Sequence, residues 1–132
     1  FSRSAAAERR YNMVEFFKTV DGRITEVSEF TEGCWVNMVH PSSDELEQIA
    51  QAAQVEEEFV RAALDPEESS RVDTEDEQLL MIVDIPMVEK SSVEDGGQMF
   101  TTIPMGIVVA QNAVITVCLE DSIICAPLRK AR

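Results

Sequence analysis

Few residues of this sequence suit zinc or redox chemistry. It holds one histidine, His40, and three cysteines, Cys34, Cys118 and Cys125, none in a Cys-x-x-Cys pair. A zinc site needs about four such ligands at close spacing, so the thiols read as reduced and buried. Basic residues are scarce too: 11 Lys and Arg stand against 25 Asp and Glu, a net charge of −14. That field repels phosphate backbones and anionic headgroups, which argues against nucleic-acid binding and against a basic lipid anchor. Long apolar runs are also missing. Leu79–Val88 is interrupted by Asp84 and Pro86, and Ile103–Ala110 is short, against roughly 18 residues needed to cross a bilayer. The expectation is a single soluble, cytosolic domain.

The patterning that remains is clear. Met13–Val20 reads as a strand, Asp21-Gly22 as a hairpin turn and Arg23–Phe30 as an exposed return strand. Cys34–Val39 is short and largely apolar, as expected of a strand inside a sheet. Ser42 with Glu45 three residues on forms a capping box, and Leu46, Ile49, Ala50 and Ala53 follow as one helical stripe. A second helix starts near Glu56, buries Phe59, Val60, Ala63 and Leu64, and stops at Asp65-Pro66. Arg71–Thr74 is an edge strand, Gln78–Val88 and Met99–Ala110 are the strongest strands, and Ala113–Leu119 is the last. Asp95-Gly96-Gly97 supplies turn chemistry between the two long strands. Each long strand contains Ile-Pro-Met, which predicts bulges or an unpaired edge. Helices in the middle of a mainly antiparallel set fit a mixed or segregated α/β sheet, not a regular βαβ alternation. Phe1–Asn12, rich in Ala, Ser and Arg, reads as appended residues, an upstream extension or a flexible arm, with the folded pattern running over residues 13–132.

Chemistry has three possible footholds. Asp84 ends an apolar strand, the position of a phosphate-accepting carboxylate, but Pro86 stands where a second acid belongs. His40 lies near Ser42, yet Ser42 is engaged as a helix cap and no Gly-x-Ser-x-Gly turn exists. The acidic clusters are Glu56-Glu57-Glu58, Glu67-Glu68 and Asp73/Glu75/Asp76/Glu77. The first suits a helix N-terminus and the others read as solvated faces, since hydrated Mg²⁺ sites leave almost no sequence pattern. No catalytic or cofactor-binding residue is assigned, no cofactor is required, and the chain is expected not to be an enzyme. A weakly bound Mg²⁺ or other divalent cation is the one ligand the charge suggests, with its residues unassigned.

The order of segments carries more information than any one of them. Phe16–Arg23, Glu32-Gly33-Cys34-Trp35-Val36-Asn37, Pro41 with its capped helix and Phe59–Asp65 come first. Val83-Asp84-Ile85-Pro86, Thr101–Ile107 and Val114-Ile115-Thr116-Val117 follow. This series resembles the N-terminal cytoplasmic domain of CorA-like divalent-cation transporters, from Met13 to the end. The resemblance implies a three-layer α/β/α sandwich with a mixed, largely antiparallel sheet and two short helices inserted mid-chain. It also implies a stalk helix and two membrane helices further along the same protein, five subunits around one pore, and a place on the cytoplasmic side of the membrane. The role implied for this segment is regulatory and architectural, without ion conduction. In some family members a metal-sensing aspartate occupies the position of Ala62, so that site does not carry over. The competing readings are a free-standing acidic interaction module and a Mg²⁺-dependent phosphotransferase using Asp84.

Overall fold

The computed structural model describes residues 13–89 and 99–120. Three strands open the chain: β1 (Met13–Val20), β2 (Arg23–Val27) and β3 (Cys34–Val39). Two helices follow, α1 (Ser43–Ala53) and α2 (Glu57–Arg61), the second running on into a 3₁₀ turn at Ala62–Leu64. Four strands complete the set: β4 (Arg71–Glu75), β5 (Gln78–Glu89), β6 (Met99–Val109) and β7 (Ala113–Cys118). They form one sheet in the order β2-β1-β3-β7-β6-β5-β4, antiparallel throughout except that β3 and β7 run parallel. The connectivity explains that exception. After β3 the chain leaves the middle of the sheet as helices, lands on the far edge at β4, and returns strand by strand until β7 closes beside β3.

Helix α1 forms where its local sequence dictates. Glu45 N–H donates to Ser42 Oγ at 3.2 Å and Ser42 N–H to Glu45 Oε1 at 2.8 Å, which satisfies two orphan donors reciprocally. Leu46, Ile49, Ala50 and Ala53 are all buried, facing Cys34, Val36 and Met38 of β3, Ile115 and Val117 of β7, and Leu80 and Ile82 of β5. Each large side chain removed from water there contributes about 1.5–3 kcal/mol. The helix ends in a Schellman motif: Gln54 N–H bonds Gln51 O at 3.3 Å and Val55 N–H bonds Ala50 O at 3.0 Å. Gln54 itself is left-handed, with φ 58° and ψ 47°. A side chain there costs about 1 kcal/mol that glycine avoids. Gln54→Gly is therefore expected to raise stability by about 0.5–1 kcal/mol in a urea melt, while Gln54→Val lowers it.

The elements follow the sequence pattern with instructive departures. Strand β2 stops at Val27 rather than Phe30, and Leu64 is half-buried rather than buried. The two Ile-Pro-Met segments sit in a ladder that runs without a bulge from Leu79↔Val109 to Glu89↔Met99. Pro86 and Pro104 lie beyond the spans of β4 and β7, where the ribbon has no outer neighbour among the described residues, so their missing N–H groups break no described ladder. On the helix-free face a smaller cluster joins Val39, Ile85, Met105 and Cys118. Cys34 and Cys118 are buried and in no disulfide, as expected of reduced thiols. Among the described residues the helices cover one face. The other helical layer of the expected sandwich, Phe1–Asn12, the Asp95-Gly96-Gly97 turn and Cys125 lie outside the described residues.

Candidate functional site

The acidic corner of the molecule is built by two turns and a helix start. β4 and β5 are joined by Asp76-Glu77, both left-handed at φ 50° and 64°. This is the backbone of a type I′ hairpin, which normally takes Asn-Gly. The Asp21-Gly22 turn between β1 and β2 has φ 52° and 77° and places glycine at its second position. Asp76-Glu77 adopts the same shape with two full side chains, held in part by Gln111 Nε2 donating to Glu77 Oε2 at 2.8 Å.

Gln78, the first residue of β5, then ties this turn to the helices. Its Oε1 accepts from Glu56 N–H at 2.8 Å, and its Nε2 reaches Gln54 O at 3.5 Å. Glu56 is the N-cap of α2, so the clamp sets its carboxylate beside the hairpin turn. Glu56, Glu75 and Asp76 each offer a carboxylate oxygen, and these oxygens lie within 4.8 Å of one another. All three residues are exposed. Three like charges at that spacing repel, and a hydrated divalent cation held by one or two carboxylates, with water retained, would offset that repulsion. A polar cleft of about 280 Å³ adjoins the cluster, lined by Glu32, Gln54, Gln78, Gln111 and Asn112 among others.

The structure thus joins one end of the first acidic cluster to the third, 19 residues later in the chain. The sequence held no sign of this, because Glu56 reads fully as a helix-dipole residue and only the Gln78 clamp brings it across. Glu68 faces Arg71 instead, at 3.3 Å, and Arg71 also pairs with Asp73. Glu67 N–H donates to Asp65 Oδ1 at 2.9 Å in an Asx turn. Ala62, half-buried, packs against the main core. Asp84 is exposed opposite Pro104 in the ladder, and among the described residues no group of acids close enough to share a cation includes it. His40 is exposed with φ 46°, its backbone N–H donating to Cys118 O at 2.8 Å.

Comparison with known proteins decides the family. The model of the CorA-like Mg²⁺ transporter protein family matches residues 31–131. This chain belongs to that family. The match begins after the β1–β2 hairpin, although the ordered resemblance in the sequence starts at Met13. Among solved structures, the complete CorA magnesium transporter from Methanocaldococcus jannaschii is similar at TM-score 0.73 and 18% identity, over 89% of this chain and 36% of that one. The soluble domain of CorA from the same organism gives TM-score 0.71 at 19% identity, over 89% of this chain and 45% of the other. The ZntB cytoplasmic domain from Vibrio parahaemolyticus RIMD 2210633 gives 0.66 at 19%, over 89% and 48%. At these identities the likeness is one of fold, and the chain spans between a third and a half of each of those structures. No curated protein matches the chain.

Proposed function

We propose that this chain is the cytoplasmic, architectural and regulatory part of a CorA-like divalent-cation transporter, with no ion path of its own. The observation that carries the reading is the family match over residues 31–131, supported by sheet-wide likeness to two domains solved apart from any membrane segment. Among the described residues no helix is long and apolar enough to cross a membrane. On this reading the partners are stalk and membrane helices of the same protein and further copies of it, and the ligand is an intracellular divalent cation. With Ala62 unable to bind metal, the Glu56/Glu75/Asp76 corner is the group placed to respond to that cation weakly.

Divalent-cation flux is the test of the transporter reading. Liposomes holding this chain alone should show no Mg²⁺ uptake, while the longer protein that contains it should. A longer protein that moves no divalent cation overturns the reading. For the corner, Mg²⁺ should stabilise the chain with a dissociation constant of the order of 1 mM, about 1.4 kcal/mol at 10 mM Mg²⁺. The Glu56→Gln/Glu75→Gln/Asp76→Asn variant should lose most of that stabilisation at matched ionic strength. Equal thermal shifts for both proteins place Mg²⁺ elsewhere.

A further inference from the structure

The free edge of the sheet at β4 has a chemistry that matches itself. Among the described residues strand β4 is paired on one side only, by β5, and Val72 at its centre is 65% exposed. Residues flanking a two-residue hairpin turn exchange both of their backbone hydrogen bonds, here Glu75 with Gln78. Bonding then alternates along the strand. Arg71, Asp73 and Glu75 direct their backbone groups at β5, while Val72 and Thr74 present N–H and C=O to the open side. The prolines agree with this phase: on the same alternation Pro86 and Pro104 fall at positions that β5 and β6 leave unbonded between them. Side chains alternate in the opposite sense. Arg71 and Asp73 share the helix-bearing face and pair with each other, and Val72 lies on the other face beside its ladder partner Met81.

We propose that β4 is a docking edge for a second copy of this chain, paired antiparallel about a two-fold axis through Val72. In that register Val72 and the partner's Val72 exchange two backbone hydrogen bonds. Arg71 stands opposite the partner's Asp73 and Asp73 opposite the partner's Arg71, at non-hydrogen-bonded positions whose Cα atoms lie about 4.5 Å apart. Four charges then alternate in sign around the axis. An axis through Asp73 instead sets two aspartates face to face, and like charges directly opposite are destabilising, so the charge pattern selects the Val72 register. The two valines cover one another, removing the most exposed of the large apolar side chains on the described surface. This proposal stands apart from the transporter reading and survives its failure.

The net charge of −14 opposes association, so the contact is tested near 150 mM salt, where fields fade beyond about 8 Å. Sedimentation velocity on the 132-residue chain from about 10 µM to about 1 mM should show a monomer–dimer equilibrium of the order of 100 µM, as befits so small a contact. Val72→Pro removes an outward N–H without touching the β4–β5 ladder and should weaken the dimer at least tenfold. Arg71→Asp should do the same by opposing like charges. The swap Arg71→Asp with Asp73→Arg should restore the dimer to within about threefold of the parent. A chain that stays monomeric to 1 mM overturns the proposal. So does a dimer that ignores Val72→Pro, or a charge swap that fails to recover what Arg71→Asp loses. If Val72→Pro does not fold by circular dichroism, the charge-swap pair alone decides.

Discussion

Asn37→Asp should destabilise the fold by about 3–5 kcal/mol at neutral pH, more than any surface change in the chain. Asn37 is 0% exposed in the middle of the sheet, on the face without helices. Its neighbours in register are Glu15 of β1 and Thr116 of β7, so one polar row crosses three strands. Trp35 Nε1 donates to Thr116 Oγ1 at 2.8 Å, and Thr116 Oγ1 donates to Asn37 Oδ1 at 2.9 Å. Asn37 Nδ2 then donates to Glu15 Oε1 at 3.1 Å. Every link points toward the Glu15 carboxylate. Aspartate replaces the last donor with an acceptor, so two carboxylates meet where an amide and a carboxylate met. Burial and Glu15 both oppose ionisation of the new group, raising its folded-state pKa above the unfolded value of about 3.9. The folded variant then holds a proton that the unfolded chain releases, so stability falls as pH rises through that window. Urea melts should therefore show the deficit shrinking below about pH 4. Asn37→Leu removes one donor to Glu15 Oε1 and the acceptor of the Thr116 hydroxyl but adds no charge, and should cost about 2 kcal/mol. A pH-independent loss for Asn37→Asp, or one under about 1 kcal/mol, removes the row from the account of stability.

That row also shows how far the sequence could be read. Whatever depended on neighbours within one turn or hairpin was legible: the Ser42–Glu45 box, the Leu46/Ile49/Ala50/Ala53 stripe, the Asp21-Gly22 turn and the stop at Asp65. Asn37 and Thr116 each stood as a lone polar residue in an apolar strand, which signals that a partner is needed without naming it. They meet across 79 positions of chain, and only the parallel β3–β7 pairing brings them into register. The same holds for Glu56 with Glu75 and Asp76. Local physics accounts for each acid separately, by helix dipole or by turn, and their convergence depends on the Gln78 clamp. The prolines left a bulge and an unpaired edge both open, because a missing donor predicts only a break in pairing; the long β5–β6 ribbon has no bulge and places both where no described strand lies alongside.

Gly106→Val should cost about 3 kcal/mol, and it should also disturb the acidic corner. Gly106 lies in β6 on the helix-bearing face, where a Cβ would come within 3.0 Å of Ala63 Cβ. Ala63 is 0% exposed in the 3₁₀ turn, so two small residues let the helical layer seat directly on the strand. The requirement is one of space: alanine at 106 needs a shift of a few tenths of an ångström, while valine adds two more methyls toward a gap that holds none. The layer must then ride up from Leu80, whose Cδ1 is 3.9 Å from the same point. Thermal melts should rank Gly106→Ala about 1 kcal/mol below the parent and Gly106→Val well below that. Ala63→Gly, itself costly by about 1 kcal/mol in a helical turn, should make Gly106→Ala nearly free, a coupling that isolates the contact. Because α2 leads into this turn and carries Glu56 at its start, lifting the layer parts Glu56 from Glu75 and Asp76. Loss of Mg²⁺ stabilisation in Gly106→Val, although it changes no acid, is the expected sign that strand packing sets the geometry of the corner. Unchanged Mg²⁺ dependence in that variant would show that the two are independent.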